Sequence, residues 1–498
     1  MLNNIDLSGK PFHFIGIGGI GMSALAYVLA KRQLPVSGSD IRSSHITQRL
    51  QSVGAHVFST QEATNLELFQ GQKVHEPISA AVGGDQVAEI NSRFCSSPSY
   101  PTQAKIGTVL PQVICSTAIK LNNCEYKAAK SKGCPIFHRS DLLAALIKNY
   151  HSIAVAGTHG KTTTSSLIGY VLLKADLDPT IIVGGEVNAW EGNARLGEGN
   201  LLVAEADESD GSLIKHCPNI GVVTNIELDH PDHYHNLEQV VDTFEVFASQ
   251  CDWLVGCIDC EIVREQIQPK ISYSIFPEKG ADYTVKNVTY HPEGTSAEVW
   301  ERGKYLGIMQ LQLLGQHNLT NALAAVAVGR KLGLEFEVIA EGLASFEGAK
   351  RRFEHRGECN GITFVDDYAH HPSEIRATLA AARVRANQNT NQRIVAIFQP
   401  HRYSRTATFL SEFASSFSDA DLVVITDIYS AGESNLKNIS GQQLAEAIAT
   451  NHDQALYHPC IESLDSLLKD ILKPGDLVLF LGAGNLNQII PQVIASYC

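Results

Sequence analysis

Apolar residues in this chain recur as short runs, each followed by a glycine-rich or polar turn and then a stretch with helical spacing. Phe12-His13-Phe14-Ile15 is the first run, and a second lies near Pro35-Val36-Ser37-Gly38. Val113-Ile114-Cys115 and Pro135-Ile136-Phe137 follow, and the pattern of Leu142, Leu143 and Leu146 closes a first domain near Asn149. A new series opens with Ser152 to Ala156, then Leu201 to Ala204 and Ile220 to Thr224, and an Ala-rich helix runs from Ala322 to Val328. A third series begins near Arg351, with Ile362 to Val365, Ile394 to Phe398, Leu422 to Ile425 and Leu477 to Phe480. Short apolar runs bounded by turn residues predict buried strands, and their alternation with helical segments predicts parallel α/β sheets. The expectation is an α/β protein of three domains, at residues 1–149, 150–349 and 350–498: Rossmann-like, P-loop ATPase-like and Rossmann-like again. From Thr60 to Leu110 periodicity is poor and Ser96-Ser97-Pro98-Ser99-Tyr100-Pro101 is loop chemistry, so this stretch is expected to be a peripheral insertion.

The turns carry the chemistry. Gly157-Thr158-His159-Gly160-Lys161-Thr162-Thr163 joins a strand to a helix with Leu167, Ile168, Val171 and Leu172 on one face. Glycines let the backbone bend tightly and approach a ligand, and the unpartnered amides of a helix start attract polyphosphate. Lys161 would reach the β/γ-phosphates, and the Thr162 hydroxyl would ligate magnesium. Val155 stands where a full P-loop has its first glycine, so the loop is a short variant. A second loop, Gly16-Ile17-Gly18-Gly19-Ile20-Gly21, follows the first strand, and Asp40 ends the next strand at the distance of a ribose-binding acid. By itself this predicts a nucleotide diphosphate, with NAD the first reading.

Acids cluster where predicted strands end, which is the ligand side of such sheets. Glu205-Ala206-Asp207-Glu208-Ser209-Asp210 follows one strand, and Asn225-Ile226-Glu227-Leu228-Asp229-His230-Pro231-Asp232-His233 follows another. Both are candidate cation sites. Asn318 and Asn321 lie one turn apart at the start of the Ala-rich helix and could cap it or read an adenine edge. In the third domain Asp366-Asp367-Tyr368-Ala369-His370-His371 and His401-Arg402-Tyr403-Ser404-Arg405 end two strands. Arg402 and Arg405 share a face if the loop is helical there, and a planar guanidinium suits an acceptor carboxylate.

Bulk properties narrow the class. The 498 residues carry a formal charge of −14 and are 44% hydrophobic, which argues against a large nucleic-acid surface. No apolar run is long enough to span a bilayer, and the start lacks a basic region followed by an apolar one, so a cytoplasmic protein is expected. Eleven cysteines without framework spacing suggest reduced thiols. Cys257-Ile258-Asp259-Cys260 has no second pair at zinc spacing, so no metal role is expected for it.

Together these motifs resemble the Mur ligases of peptidoglycan synthesis over nearly the whole chain. The likeness rests on the two glycine loops, Ser37-Gly38-Ser39-Asp40, the acidic clusters, Gly315-Gln316-His317-Asn318, Arg351-Arg352-Phe353-Glu354, the Asp366 to Pro372 stretch and Phe398-Gln399-Pro400-His401-Arg402. The resemblance implies that the three domains bind a UDP-sugar, ATP and an amino acid in turn, so the first glycine loop becomes a UDP binder and not a NAD binder. It implies Thr162, Glu205 and His230 as magnesium ligands, and Asn318 and Arg351 beside the loop residues at ATP. It places Gly18, Gly19, Gly21, Asp40 and Ser116 at the sugar nucleotide, and Tyr368, His370, His401, Arg402 and Arg405 at substrate. Lys161, Glu205, His230, His370, Arg402 and Arg405 are the expected catalytic set. UDP-N-acetylmuramate and L-alanine are the expected substrates, with a murein tripeptide as alternative acceptor, in a monomer or homodimer. Several sister ligases use a carbamylated lysine after the His230 motif. No lysine occurs here between Lys215 and Lys270, so Glu227 or Asp229 is expected to supply that charge.

Overall fold

The computed structural model describes residues 4–69, 110–388 and 392–498. They form two compact units, Met1–Leu142 and Leu143–Cys498.

The first unit is built on a five-stranded parallel sheet in the order His56–Phe58, Val36–Ser39, Phe12–Ile15, Gln112–Cys115, Ile136–His138. Phe12–Ile15 is buried throughout, as a central strand covered on both faces must be. The strand order reverses beside it, which opens a crevice at its carboxyl end, and the glycine loop lies there. Gly16 takes a φ of +82°, a conformation that suits glycine, and the helix Ile20–Lys31 follows. The Gly18 amide donates to Asp40 Oδ2 at 2.9 Å, so the acid closes one side of the loop. Any Cβ on Gly18 would lie 2.8 Å from that oxygen.

One buried acid organises this unit. Glu125 is fully enclosed, with Oε1 2.8 Å from His13 Nε2 and 2.8 Å from Asn65 Nδ2, while Ser39 Oγ donates to Oε2. This corrects the reading of residues 60–110 as one peripheral stretch. Its beginning forms the 3₁₀ helix Ala63–Phe69, with Leu66 buried in the core and Asn65 in the acid's shell. The rest of that stretch, 70–109, lies outside the described residues. Periodicity missed the packed part because one leucine and one asparagine make no repeat.

The second unit holds two sheets. Six parallel strands run in the order Ile271–Ser274, Trp253–Cys257, Ile220–Val223, His151–Ala156, Leu201–Glu205, Thr180–Val187, with Gly192–Arg195 antiparallel at one edge. The other edge continues into an antiparallel meander, Tyr283–His291, Gly294–Glu301 and Lys304–Leu311, which the apolar runs did not announce. Its strands alternate buried and exposed residues, so no continuous apolar run marks them. The Ala-rich helix Gln316–Lys331 lies against Lys161–Lys174, its small side chains allowing close approach. The second sheet sets the four expected strands in the order Ile362–Asp367, Leu477–Leu481, Ile394–Phe398, Leu422–Ile425, flanked by Glu354–Cys359 and Ala455–Tyr457. All five residues of Leu477–Leu481 are buried.

The cysteines depart from expectation at one place. Cys359 and Cys498 form a disulfide with Cα atoms 5.6 Å apart, so not every thiol is reduced. Cys257 ends a buried strand and Cys260 lies beyond it, and the metal-type clusters among the described residues include neither. Among the described residues no helix is long and apolar enough to cross a membrane.

Glu125→Ala should destabilise the first unit by roughly 3 kcal/mol or more, because it removes the acceptor shared by His13, Ser39 and Asn65, at about 1–3 kcal/mol for each buried polar group left unsatisfied. Urea unfolding followed by circular dichroism reads this out, and a change under about 1 kcal/mol would show the network to be dispensable.

Candidate active site

The strand His151–Ala156 delivers the chain into Gly157, where φ is +140°. A Cβ there would sit 1.9 Å from Thr224 Oγ1, so the position admits glycine alone. Gly160, with φ +82°, starts the helix Lys161–Lys174, and its Cβ would lie 2.6 Å from Asn321 Oδ1. The neighbouring strand end holds the loop in shape. Thr158 N donates to Asn225 O at 2.9 Å, His159 N to Asn225 Oδ1 at 2.8 Å, and Thr224 Oγ1 to His159 O at 2.6 Å. The result is a preformed cradle at the positive end of a helix.

Lys161 folds over this cradle. Its Nζ donates to Gly157 O at 2.6 Å and to Thr158 O at 3.1 Å, and lies 2.9 Å from Glu208 Oε2. Burial acts to lower its pKa, but Glu208, Asp207 and Glu205 outweigh that and hold the ammonium above its ordinary range. Burial pushes Glu208 up to about 7 against the pull of Lys161. Thr162 Oγ1 donates to Glu205 Oε1 at 3.1 Å, and the other Glu205 oxygen accepts from Gly184 N at 2.6 Å. His230 Nε2 stands 3.9 Å from Glu208 Oε1 and 3.5 Å from Asp229 Oδ2. Burial, with Arg405 and Lys161 nearby, depresses its pKa.

From here the charged cleft continues to the last sheet. Asp229 receives Arg405 through Nε at 2.9 Å and Nη2 at 3.2 Å, and Arg405 is only 2% exposed. Although burial opposes it, Arg405 with His230 and His370 holds the Asp229 carboxyl well below its usual range. Arg405 Nη1 also donates to His401 Nδ1 at 3.2 Å, and that ring stacks on Tyr429. Arg402 reaches Asp232 at 2.8 Å and Glu433 at 3.0 Å. His370 Nδ1 donates to Tyr368 O at 2.9 Å, while Arg351 covers the Tyr368 ring and donates to Gly482 O.

Comparisons with known proteins follow the same layout. Family models match residues 11–151 (Mur ligase family, catalytic domain), 155–329 (Mur ligase middle domain) and 351–484 (Mur ligase, glutamate ligase domain). A UDP-N-acetylmuramate–L-alanine ligase of Crocosphaera subtropica is 69% identical over 100% of this chain and 96% of its own length. The crystal structure of a UDP-N-acetylmuramate–alanine ligase from Thermotoga maritima superposes with a TM-score of 0.77 at 27% identity, covering 98% of this chain and 99% of that one. A murein peptide ligase from Psychrobacter arcticus has a TM-score of 0.68 over 98% of this chain and 99% of its own, but at 19% identity it shares the fold alone. The chain belongs to the Mur ligase family.

Within that Mur ligase frame the structure rearranges several sequence expectations. Thr162 and Glu205 stand together, but His230 groups with Asp207 and Glu208, whose ligand atoms lie within 4.8 Å of one another. These oxygen-rich sets fit magnesium, which prefers hard carboxylate and hydroxyl ligands. Of the two acids expected to supply the bridging charge, Glu227 is held away by His159 and Ser373, whereas Asp229 Oδ2 lies 3.5 Å from His230 Nε2 while also bound by Arg405. Glu208 and Asp207 join His230 in the cluster. Glu208 lay inside a quoted motif but had no assigned role, since only the fold shows which of four neighbouring acids turns to Lys161. Arg402 and Arg405 do not share a helical face: Arg402 precedes the helix Tyr403–Thr408 with φ +70°, and each guanidinium has its own acids. Neither Asn318 nor Asn321 caps the Ala-rich helix, whose start at Gly315 has no side-chain cap. Asn318 Nδ2 donates to Leu314 O at 2.8 Å, and Asn321 receives Thr164 Oγ1 at 3.1 Å.

The buried histidines of this cleft fix its response to acid. Burial drives His370 and His371 down to about 4 and His401 to about 2. The unfolded chain takes up these protons near pH 6.5, while the folded one resists until about pH 4. The contribution of these histidines to stability is therefore complete above about pH 6.5 and falls as pH drops toward 4, while His159, which burial would lower but Glu227 and Glu374 raise to about 9, adds stability below pH 6.5 that is lost as pH rises toward 9. Glu208 and Asp366, raised by burial to about 7 and about 6, and Asp367, also raised by burial, work the other way but are fewer than the five depressed imidazoles once His230 and His317 are included. Thermal melts should show Tm falling between pH 6.5 and 4, with a shallower slope in His371→Gln. A Tm that rises over this window would contradict the assignment.

Proposed function

We propose that this protein joins L-alanine to the lactyl carboxylate of UDP-N-acetylmuramate with ATP as the driving nucleotide. The carrying observation is one continuous charged cleft, in which a phosphate-loop lysine connects through Glu208, His230 and Asp229 to Arg405. A ligase needs that continuity because phosphoryl donor and amine acceptor must meet at one carboxylate. The muramate carboxylate attacks the γ-phosphorus, ADP leaves, and an acyl phosphate forms. The alanine amine then attacks the acyl carbon and phosphate departs. Side chains do little covalent work in such a transfer and act by positioning and charge stabilisation. Lys161 supplies a fixed cation where charge grows on the transferring phosphoryl oxygens. Magnesium, when bound, neutralises phosphate charge; Thr162 and Glu205 would hold one ion, and His230 with Asp207 and Glu208 another. Asn318 and Arg351 are assigned to the nucleotide. In the first unit Gly18, Gly19, Gly21, Asp40 and Ser116 are assigned to the UDP-sugar. Tyr368, His370, His401, Arg402 and Arg405 are assigned to the acceptor side. The reaction draws on ATP and a nucleotide-linked sugar, so the proposed compartment is the cytoplasm. Alanine is preferred over a murein tripeptide because the 69%-identical relative carries the alanine name.

Purified protein should release ADP only when UDP-N-acetylmuramate and L-alanine are both present; ADP release that needs tripeptide in place of alanine would overturn the acceptor assignment. Lys161→Ala should lower kcat by about 10²–10³, as losing one transition-state charge partner does. Arg405→Ala is a poor probe of the acceptor, because it strands Asp229 as a buried charge. Arg402 is more exposed, and Arg402→Ala should raise the alanine KM roughly ten- to hundredfold while the ATP KM stays. An unchanged alanine KM would remove Arg402 from the acceptor site.

A further inference from the structure

A second cluster, apart from the magnesium sets above, includes a residue of the phosphate loop. His159, Glu227 and His371 each offer a ligand atom, all within 4.8 Å of one another. The residues come from three separate strand ends, and the His159 and His371 ring centroids are 4.7 Å apart. Each has the support that metal ligands usually have. His159 Nδ1 stands 3.3 Å from Glu374 Oε1, which directs Nε2 toward Glu227 Oε2 at 3.4 Å. Ser373 Oγ donates to that same Glu227 oxygen at 2.7 Å. His371 is 4% exposed, and its Nε2 has no hydrogen-bond partner. Its Nδ1 faces Glu227 Oε2 at 3.9 Å and otherwise receives only the long Ser373 amide contact at 3.3 Å. A buried imidazole with so little satisfied is costly, and a bound cation would offset that cost.

We propose that His159, Glu227 and His371 form a binding site for a zinc-type transition ion. Two imidazoles and one carboxylate are the ligands of an open tetrahedral site, whereas magnesium and calcium prefer oxygen alone. The half-exposed Glu227 leaves the fourth position to water. Because His159 belongs to the phosphate loop and His371 to the acceptor-side sheet, an ion held there ties the loop to that sheet.

The test is zinc binding to the full-length, nucleotide-free protein by competition with a chromophoric chelator. One ion per chain is expected, with at least a tenfold loss of affinity in both His371→Gln and Glu227→Gln. Asp207→Asn, which alters the cluster around His230, should leave zinc affinity unchanged. Far-UV circular dichroism confirms that each variant is folded, and His371→Asn serves if the glutamine variant is not. Absence of zinc binding, equal affinity in the His371 variants, or loss in Asp207→Asn alone would overturn the site and leave His159 as an ion-pair partner of Glu227 and Glu374.

Discussion

A cation buried under a phosphate loop must have an anion beside it, and most of the cleft follows from that requirement. Lys161 cannot be left uncompensated away from water, so Glu208 comes to within 2.9 Å of it. The same rule applies at Arg405, which is matched by Asp229. His230 sits between the two pairs, so charges at the phosphate loop and at the last sheet belong to one network. Both cations are thus held oriented by carboxylates.

Backbone geometry supports this arrangement. The phosphate loop is fixed from outside by Thr224 and Asn225, on the strand end next to its own. Thr224 leaves no room for a side chain at Gly157, and Asn321 on the Ala-rich helix leaves little at Gly160. The strand that carries Asn225 continues to Glu227, Asp229 and His230. That stretch therefore both shapes the loop and, through Glu227, pairs with its His159, while Lys161 is balanced by Glu208 from the end of the strand on the other side.

Some of this was legible in the residues and some was not. The apolar runs at Phe12, Ser152, Leu201, Ile220, Ile362, Ile394, Leu422 and Leu477 became parallel strands, because a strand covered on both faces has to be apolar throughout. The glycine loops were legible because glycine at a strand-to-helix turn answers a local steric demand. The meander from Tyr283 to Leu311 was not, since its half-exposed strands alternate and resemble loop composition. The 3₁₀ turn at Ala63–Phe69 was hidden for a similar reason: its packing rests on two residues meeting a distant acid.

By itself, then, the order of residues determined the strands, the two glycine turns and which acids and histidines stand at strand ends, because each is a consequence of neighbours a few positions apart. Partner choice was decided only by tertiary structure. Asp229 finds Arg405 across 176 positions, Glu208 rather than Glu205 takes Lys161, and His371 meets His159 although no spacing links them. A buried charge selects the nearest compensating group in space, and distance in space is settled by how the sheets are ordered and packed.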